Sequence, residues 1–335
     1  MSRNQRLIVL IGIVISAVFL WVAFSGLNPA AVWEHIQTAD VRLLLFGALW
    51  YFTGIFMMAV RWQYLMRGVK AVPLGELFAL VCIGYMGNNV YPLRSGEILR
   101  VVLLQRNERI PVVLSTTVIV IERIFDGIVM LTFIVVPLSL TNITSPEVRS
   151  LATISAPIFI IALGVFFLLA AKPSLLRLVV KLIQRILPGK LGDLVGRLGE
   201  DVIAGLEVLR TPVNLAGAVI TSYLAWGLKA SVYWLLFFAF GMNLDFAVAL
   251  VVVGVVNLAG LIPASPGQIG VFEFFTIAVL TSAGIGEAQA TGYALSIHLV
   301  IWLPVTLLGF YYLARQGLGL SAVARARELE QESVP

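Results

Sequence analysis

The sequence predicts an all-α polytopic membrane protein with about six spanning helices plus two re-entrant helical hairpins in an inverted repeat. Three observations carry this. Hydrophobic residues fill 60% of the 335 positions and charged residues only 12%, against about 25% charged in a soluble domain. Several apolar runs reach the roughly 20 residues that a helix needs to cross about 30 Å of hydrocarbon. Two further apolar stretches, 74–110 and 246–285, are each broken near the middle by prolines and glycines. Continuous runs such as 7–24 and 158–171 do not alternate in polarity, which excludes a transmembrane β-barrel.

Taken in order, the predicted spans are 7–27, 41–60, 112–140, 151–171, 213–240 and 288–313. The first is too long in its apolar part for a cleaved signal peptide and is read as a helix that stays. Short cytoplasmic loops carry an excess of Lys and Arg, so the N-terminus is placed inside. That choice puts most of the 23 basic residues on the cytoplasmic side, provided that 74–110 enters and leaves on that side as a hairpin. The second hairpin, within 246–285, then dips from the opposite face, and the C-terminus is cytoplasmic as well. Arg61 and Arg100 are counted among these cytoplasmic charges, with Arg100 expected to meet lipid phosphates at the rim.

The two breaks match at one fixed spacing: Pro92 with Pro263, Gly96 with Gly267, Glu97 with Gln268, and Ile98 with Ile269. Asn89 and Asn257 precede them at similar distances, and Pro266 adds a second proline to the later break. Repeats of opposite orientation are characteristic of secondary transporters. The chain is therefore divided as a single integral membrane domain, 1–335, with a first repeat core at 74–140 and a second at 246–313. Residues 174–210 form a cytoplasmic amphipathic linker, in which Arg177, Lys181 and Arg185 recur opposite Leu175, Leu178, Val179, Leu182 and Ile186.

Ionisable side chains inside a bilayer cost about 2.5–3.5 kcal/mol each on insertion scales, so each is a candidate for function. Glu122, Arg123 and Asp126 share one predicted span, where Arg123 and Asp126 stand one turn apart and leave one acid over. In the first break, Arg94 and Glu97 flank Gly96, and the helix that follows presents free N–H groups suited to a phosphate. Glu273 lies on the outgoing arm of the second hairpin, and is read as a partner for a cationic headgroup or a proton. Lys229 is expected to snorkel outward toward Asp245, and His298 to be a packed, hydrogen-bonded residue. The candidate substrate-binding set is thus Asn89, Arg94, Glu97, Glu122, Arg123, Asp126, Lys229, Asn257, Gln268, Glu273 and His298, with hairpin breaks at Pro92, Gly96, Pro263, Pro266 and Gly267.

Two histidines and one cysteine, Cys82, offer no metal-ligand spacing, and no nucleotide-binding or hydrolase signature is present, so neither metal nor cofactor is expected. The net charge of +5 faces anionic lipid rather than nucleic acid.

Arg61-Trp62, the run Pro92 to Arg100, Glu122-Arg123-Ile124-Phe125-Asp126, and the run Pro263 to Glu273 together resemble the flippase-like membrane region of lysylphosphatidylglycerol synthases and its standalone relatives. The resemblance covers nearly the whole chain. It implies an inner-membrane protein that moves a lipid or lipid-linked headgroup between leaflets, acting as a transporter and not as an enzyme. The substrate implied is a membrane lipid with an anionic phosphate headgroup, and a synthase or glycosyltransferase is a compatible partner. The aminoacyltransferase domain of the full synthases has no counterpart in this sequence, so lysyl transfer is not expected. Gln268 also departs from the pattern, standing where a second glycine is expected. The alternatives are a membrane-embedded transferase or hydrolase acting on a lipid-linked substrate, with Glu122 and Asp126 as acid and base, and an ion-coupled transporter of small solutes.

Overall fold

A computed structural model describes residues 3–67, 70–92, 95–140, 173–187, 211–262 and 264–317, with isolated positions between 157 and 203. Every regular element among these is helical. In order they are α1 (Arg3–Phe24), α2 (Pro29–Thr38), α3 (Val41–Met66), α4 (Leu74–Val90), α5 (Ser95–Glu108), α6 (Val112–Leu140), α7 (Pro173–Ile186), α8 (Pro212–Ala239), α9 (Phe246–Ala259), a 3₁₀ turn at Pro266–Gln268, α10 (Val271–Ser282) and α11 (Glu287–Arg315). The expected span 151–171, the second part of the linker and the break residues Arg94 and Pro263 lie outside the described residues.

Three helices, α3, α8 and α11, are long and apolar enough to cross a membrane. A fourth span results if Leu10–Phe24 and Pro29–Thr38, bent by 86°, are taken as one. Among the described residues three or four spans thus meet this test by length and composition, and the expected span 151–171 lies outside them. The bend has a local cause: Asn28 accepts a hydrogen bond from the Ala30 N–H at 3.0 Å and Pro29 follows, so a new helix starts there. Large apolar residues, among them Trp21, Leu45, Leu49 and Leu307, face outward, as lipid contact requires. On α7 the apolar residues Leu178, Val179, Leu182 and Ile186 are exposed as well.

α3 and α8 form the centre. A stripe at helical spacing on α3, Gly47, Tyr51, Gly54, Met58 and Arg61, is buried. It meets Ala218, Ser222, Ala225, Lys229 and Leu236 of α8. Gly54 lets the axes approach, since a Cβ there would stand 2.9 Å from the Ala225 carbonyl oxygen. α3 continues past residue 60, where the sequence reading ended it, because Arg61 and Trp62 are buried along its length.

Two parts of the chain, here called halves, follow a similar order. Val41 and Pro212, Leu74 and Phe246, and Val112 and Glu287 begin helices in each, with α5 before the last of these in the first half and the 3₁₀ turn and α10 in the second. Their packing is reciprocal: α4 of the first half lies on α11 of the second, while α9 of the second lies on α6 of the first.

The breaks are built differently. α4 ends at Val90, and the Gly96 N–H at the start of α5 donates to Asn88 Oδ1 at 2.9 Å. α4 and α5 touch backbone to backbone, so that a Cβ on Gly96 would fall 1.8 Å from the Gly84 carbonyl oxygen. The second break runs through left-handed backbone at Gly267 (φ +71°), Gln268 (φ +60°) and Gly270 (φ +92°). Its tip touches the end of α4: a Cβ on Gly267 would lie 3.3 Å from the Asn89 carbonyl oxygen and 2.7 Å from Trp302 Nε1. The two breaks therefore meet.

Gly96→Ala should separate α4 from α5 and lower the thermal unfolding midpoint in detergent by the equivalent of about 1–3 kcal/mol. Gly127→Ala, where a Cβ meets nothing within 4 Å, should leave the midpoint unchanged or raise it.

Candidate functional site

Two polar clusters lie side by side in the core. The first is an ion network between α3, α5 and α6. Arg61, with no exposed surface, bridges both acids of α6: Nη2 to Glu122 Oε1 at 2.7 Å and Nη1 to Asp126 Oδ1 at 2.6 Å. Arg100 Nη1 reaches Glu122 Oε2 at 3.0 Å, and the Trp62 indole N–H donates to the same oxygen at 2.9 Å. Arg123 Nη2 lies 3.0 Å from Glu122 Oε1 and 3.3 Å from Asp126 Oδ2, and its Nε lies 3.8 Å from Glu97 Oε1. Three guanidiniums thus face three carboxylates, and the cluster is neutral. Desolvating so many charges is tolerable only when each is paired and hydrogen-bonded.

This arrangement corrects two expectations. No acid of α6 is left over, because Arg61 takes both. Arg100 is buried against Glu122 with its guanidinium over the Trp62 ring at 4.8 Å, and does not sit at a lipid rim. Arg61 is the residue that the sequence reading missed as a site member, having counted it as a loop charge. The available signal was its place on the buried stripe of α3, one turn beyond Met58.

The second cluster surrounds a cavity of about 100 Å³ where the two breaks meet. Its walls include Asn89 from the end of α4, Lys229 from α8, Asn257 from α9, Gly267 and Gln268 from the second break, and His298 and Trp302 from α11. Lys229 is 2% exposed and does not snorkel. Its Nζ donates to the Tyr85 hydroxyl and, at 3.2 Å, to Met58 Sδ, and it stands 4.4 Å from the ring centres of Tyr85 and Trp226 and 5.3 Å from that of Tyr51. Among the described residues no carboxylate comes within ion-pair distance of it. Trp226 joins the clusters, because its N–H donates to Asp126 Oδ1 at 2.7 Å while its face covers Lys229.

Glu273 is set behind the cavity wall. One oxygen accepts the Gly270 N–H at 2.7 Å, capping α10, and the other lies 2.5 Å from His298 Nδ1. His298 Nε2 is 3.0 Å from the Gly267 carbonyl and must donate to it. The Nδ1 contact therefore needs one further proton, carried by His298 or by Glu273. Both oxygens of Glu273 are thus engaged by neighbouring protein groups, and the side chain is not among those that line the cavity.

The structure thus gathers Asn89, Lys229, Asn257, Gln268 and His298 around one cavity, with Glu273 behind it. Glu97, Glu122, Arg123 and Asp126 belong to the neighbouring network.

The family model described as the lysylphosphatidylglycerol synthase TM region matches residues 9–309. A UPF0104 membrane protein of Pyrococcus horikoshii is 24% identical over 95% of this chain and 99% of its own length. A UPF0104 membrane protein of Methanothermobacter thermautotrophicus is 21% identical over 89% of each chain. The glycosyltransferase AglD of Haloferax volcanii is 22% identical over 89% of this chain, which corresponds to 52% of that protein. No solved structure matches. AglD overturns the expectation of a non-enzymatic chain, since a relative similar over most of these residues carries a transferase name.

Arg61→Met should leave Glu122 and Asp126 short of a partner and destabilise the protein by about 3–5 kcal/mol, read from thermal unfolding in detergent. Arg123→Gln, at a side chain that is 40% exposed, should cost clearly less in the same measurement.

Proposed function

The chain belongs to the lysylphosphatidylglycerol synthase transmembrane-region family, and on that premise we propose that it moves a lipid, or a headgroup carried on one, between the leaflets of the cytoplasmic membrane. In this reading six helices span the bilayer, both termini are cytoplasmic, and the two broken helix pairs are re-entrant hairpins entering from opposite faces. The reciprocal packing of α4 on α11 and α9 on α6 supports such an inverted arrangement. Rocking of one half against the other opens the cavity alternately to each leaflet, while acyl chains stay in lipid.

The single observation that carries the reading is Lys229, a buried cation with no carboxylate within ion-pair distance among the described residues, on the wall of a cavity formed where two helix breaks meet. A buried charge left unpaired is costly, and an anionic phosphate headgroup is the natural partner. The neutral Arg61 network is the fixed part on which the movement turns. A synthase or glycosyltransferase would supply or consume the lipid.

One observation favours a second reading, the name of the relative AglD. There the cavity holds a lipid-linked substrate for group transfer, and His298 on its wall is the acid or base once a substrate displaces the Gly267 carbonyl from Nε2. Glu122 and Asp126 do not fit that role, because guanidiniums hold both.

Lys229→Met should abolish leaflet exchange of a fluorescent phosphate-headgroup lipid in reconstituted vesicles, while raising the thermal midpoint because an uncompensated buried charge is removed. Exchange at the wild-type rate in this variant would reject the site. Mass spectrometry of the lipids afterwards separates the readings: an unchanged lipid on the other leaflet is transport, a changed covalent structure is transfer.

A further inference from the structure

The polar groups around the cavity are of a particular kind. Lys229 supplies one positive charge, and among the described residues no carboxylate lines the wall. The remaining polar side chains are largely uncharged. Asn89 donates its amide to Thr306 Oγ1 at 2.8 Å, and Asn257 donates to the Val253 carbonyl at 2.7 Å, so both keep an amide oxygen for another donor. The Trp302 indole N–H is buried and has no hydrogen-bond partner among the described residues. Gln268, held by its left-handed backbone at the break, adds a carboxamide whose side chain lies against Gly260.

Resting on the transport reading, we infer that the headgroup taken by this cavity is an uncharged polyol, a glycerol or a sugar, joined through a single phosphodiester. One cation neutralises one phosphodiester charge. Hydroxyls both donate and accept, so a polyol can satisfy amide oxygens and an indole N–H in the same space without adding charge. An ammonium on the headgroup is disfavoured twice: Lys229 repels it, and the neighbouring acids Glu273 and Asp126 are already engaged, Glu273 by His298 and the Gly270 N–H and Asp126 by Arg61 and the Trp226 N–H. Aminoacylated and ethanolamine lipids are thereby disfavoured. A cavity of about 100 Å³ admits several waters, whose places the hydroxyls take.

The test uses the full chain in phosphatidylcholine nanodiscs with four probes present in equal amounts: phosphatidylglycerol, a glucosyl phosphoprenol, phosphatidylethanolamine and lysylphosphatidylglycerol. Lipids that remain bound are read by native mass spectrometry. The polyol probes should be retained about tenfold over the two ammonium lipids, as expected of a site built to hydrogen-bond hydroxyls. Retention of phosphatidylglycerol alone assigns a glycerol, of the phosphoprenol alone a sugar. Asn257→Ala combined with Gln268→Ala, both on the cavity wall, should bring the ratio close to one. Lysylphosphatidylglycerol or phosphatidylethanolamine bound as tightly as phosphatidylglycerol, or a double variant with unchanged preference, would overturn the inference. Leaflet exchange in vesicles keeps the two claims apart. Equal exchange of all four lipids defeats the polyol preference and leaves transport standing, whereas polyol-selective binding without exchange defeats transport and leaves the site.

Discussion

Arg61 bridging Glu122 and Asp126 is the contact on which the rest of this structure depends. Its guanidinium is buried completely on the central helix α3, and the two carboxylates it grips belong to α6. Through Glu122 the same contact engages Arg100, and so fixes α5. Through Asp126 it engages the Trp226 N–H, and so fixes α8. Four helices are thereby tied at one neutral point in a region where water offers no alternative partners. Loss of Arg61, Glu122 or Asp126 leaves buried partners charged and dry, whereas Arg123 stands at the wetter edge of the network.

The two halves share an order of helices but divide the polar work unequally. Met58 and Lys229 occupy the same place in the corresponding helices α3 and α8, and they touch at 3.2 Å. One turn further along α3 comes Arg61, whereas α8 offers Val232 at the matching place. The first half thus holds the balanced ion network, and the second holds a cation that, among the described residues, no acid pairs with. A soft thioether and three aromatic faces are what surround that cation, contacts that ease burial without neutralising it.

Much of the helical architecture was legible because proline, glycine and apolar run length act locally. Spans 213–240 and 288–313 nearly coincide with α8 and α11, and α6 with 112–140. The first span was read without its bend, since Asn28-Pro29 ends a helix only when the cap actually forms. Arg61 and Arg100 were misplaced for a common reason. A charge count along the chain assigns basic residues to loops, whereas pairing across helices is a tertiary fact. Lys229 was sent outward by the same logic, although it lies on the stripe Ala218, Ser222, Ala225 that faces α3. Gln268 was noticed as a departure from glycine, and its φ of +60° shows the backbone demand behind that pattern. The cavity itself was not legible, because its walls come from segments far apart in sequence.

The imbalance at Lys229 has a consequence for movement. An empty cavity holds an unneutralised charge, and bringing its walls together around that charge would remove what little solvation it has. On the proposed reading, a phosphodiester entering the cavity supplies the missing negative charge, so closure around a loaded site is favoured over closure around an empty one. The walls come from both halves: Asn89 and Tyr85 from the first, Lys229, Asn257 and His298 from the second. Neutralisation is therefore felt where the halves meet. An inverted pair of repeats needs a reason to change sides when loaded and to resist doing so when empty, and an unpaired lysine at their contact supplies one.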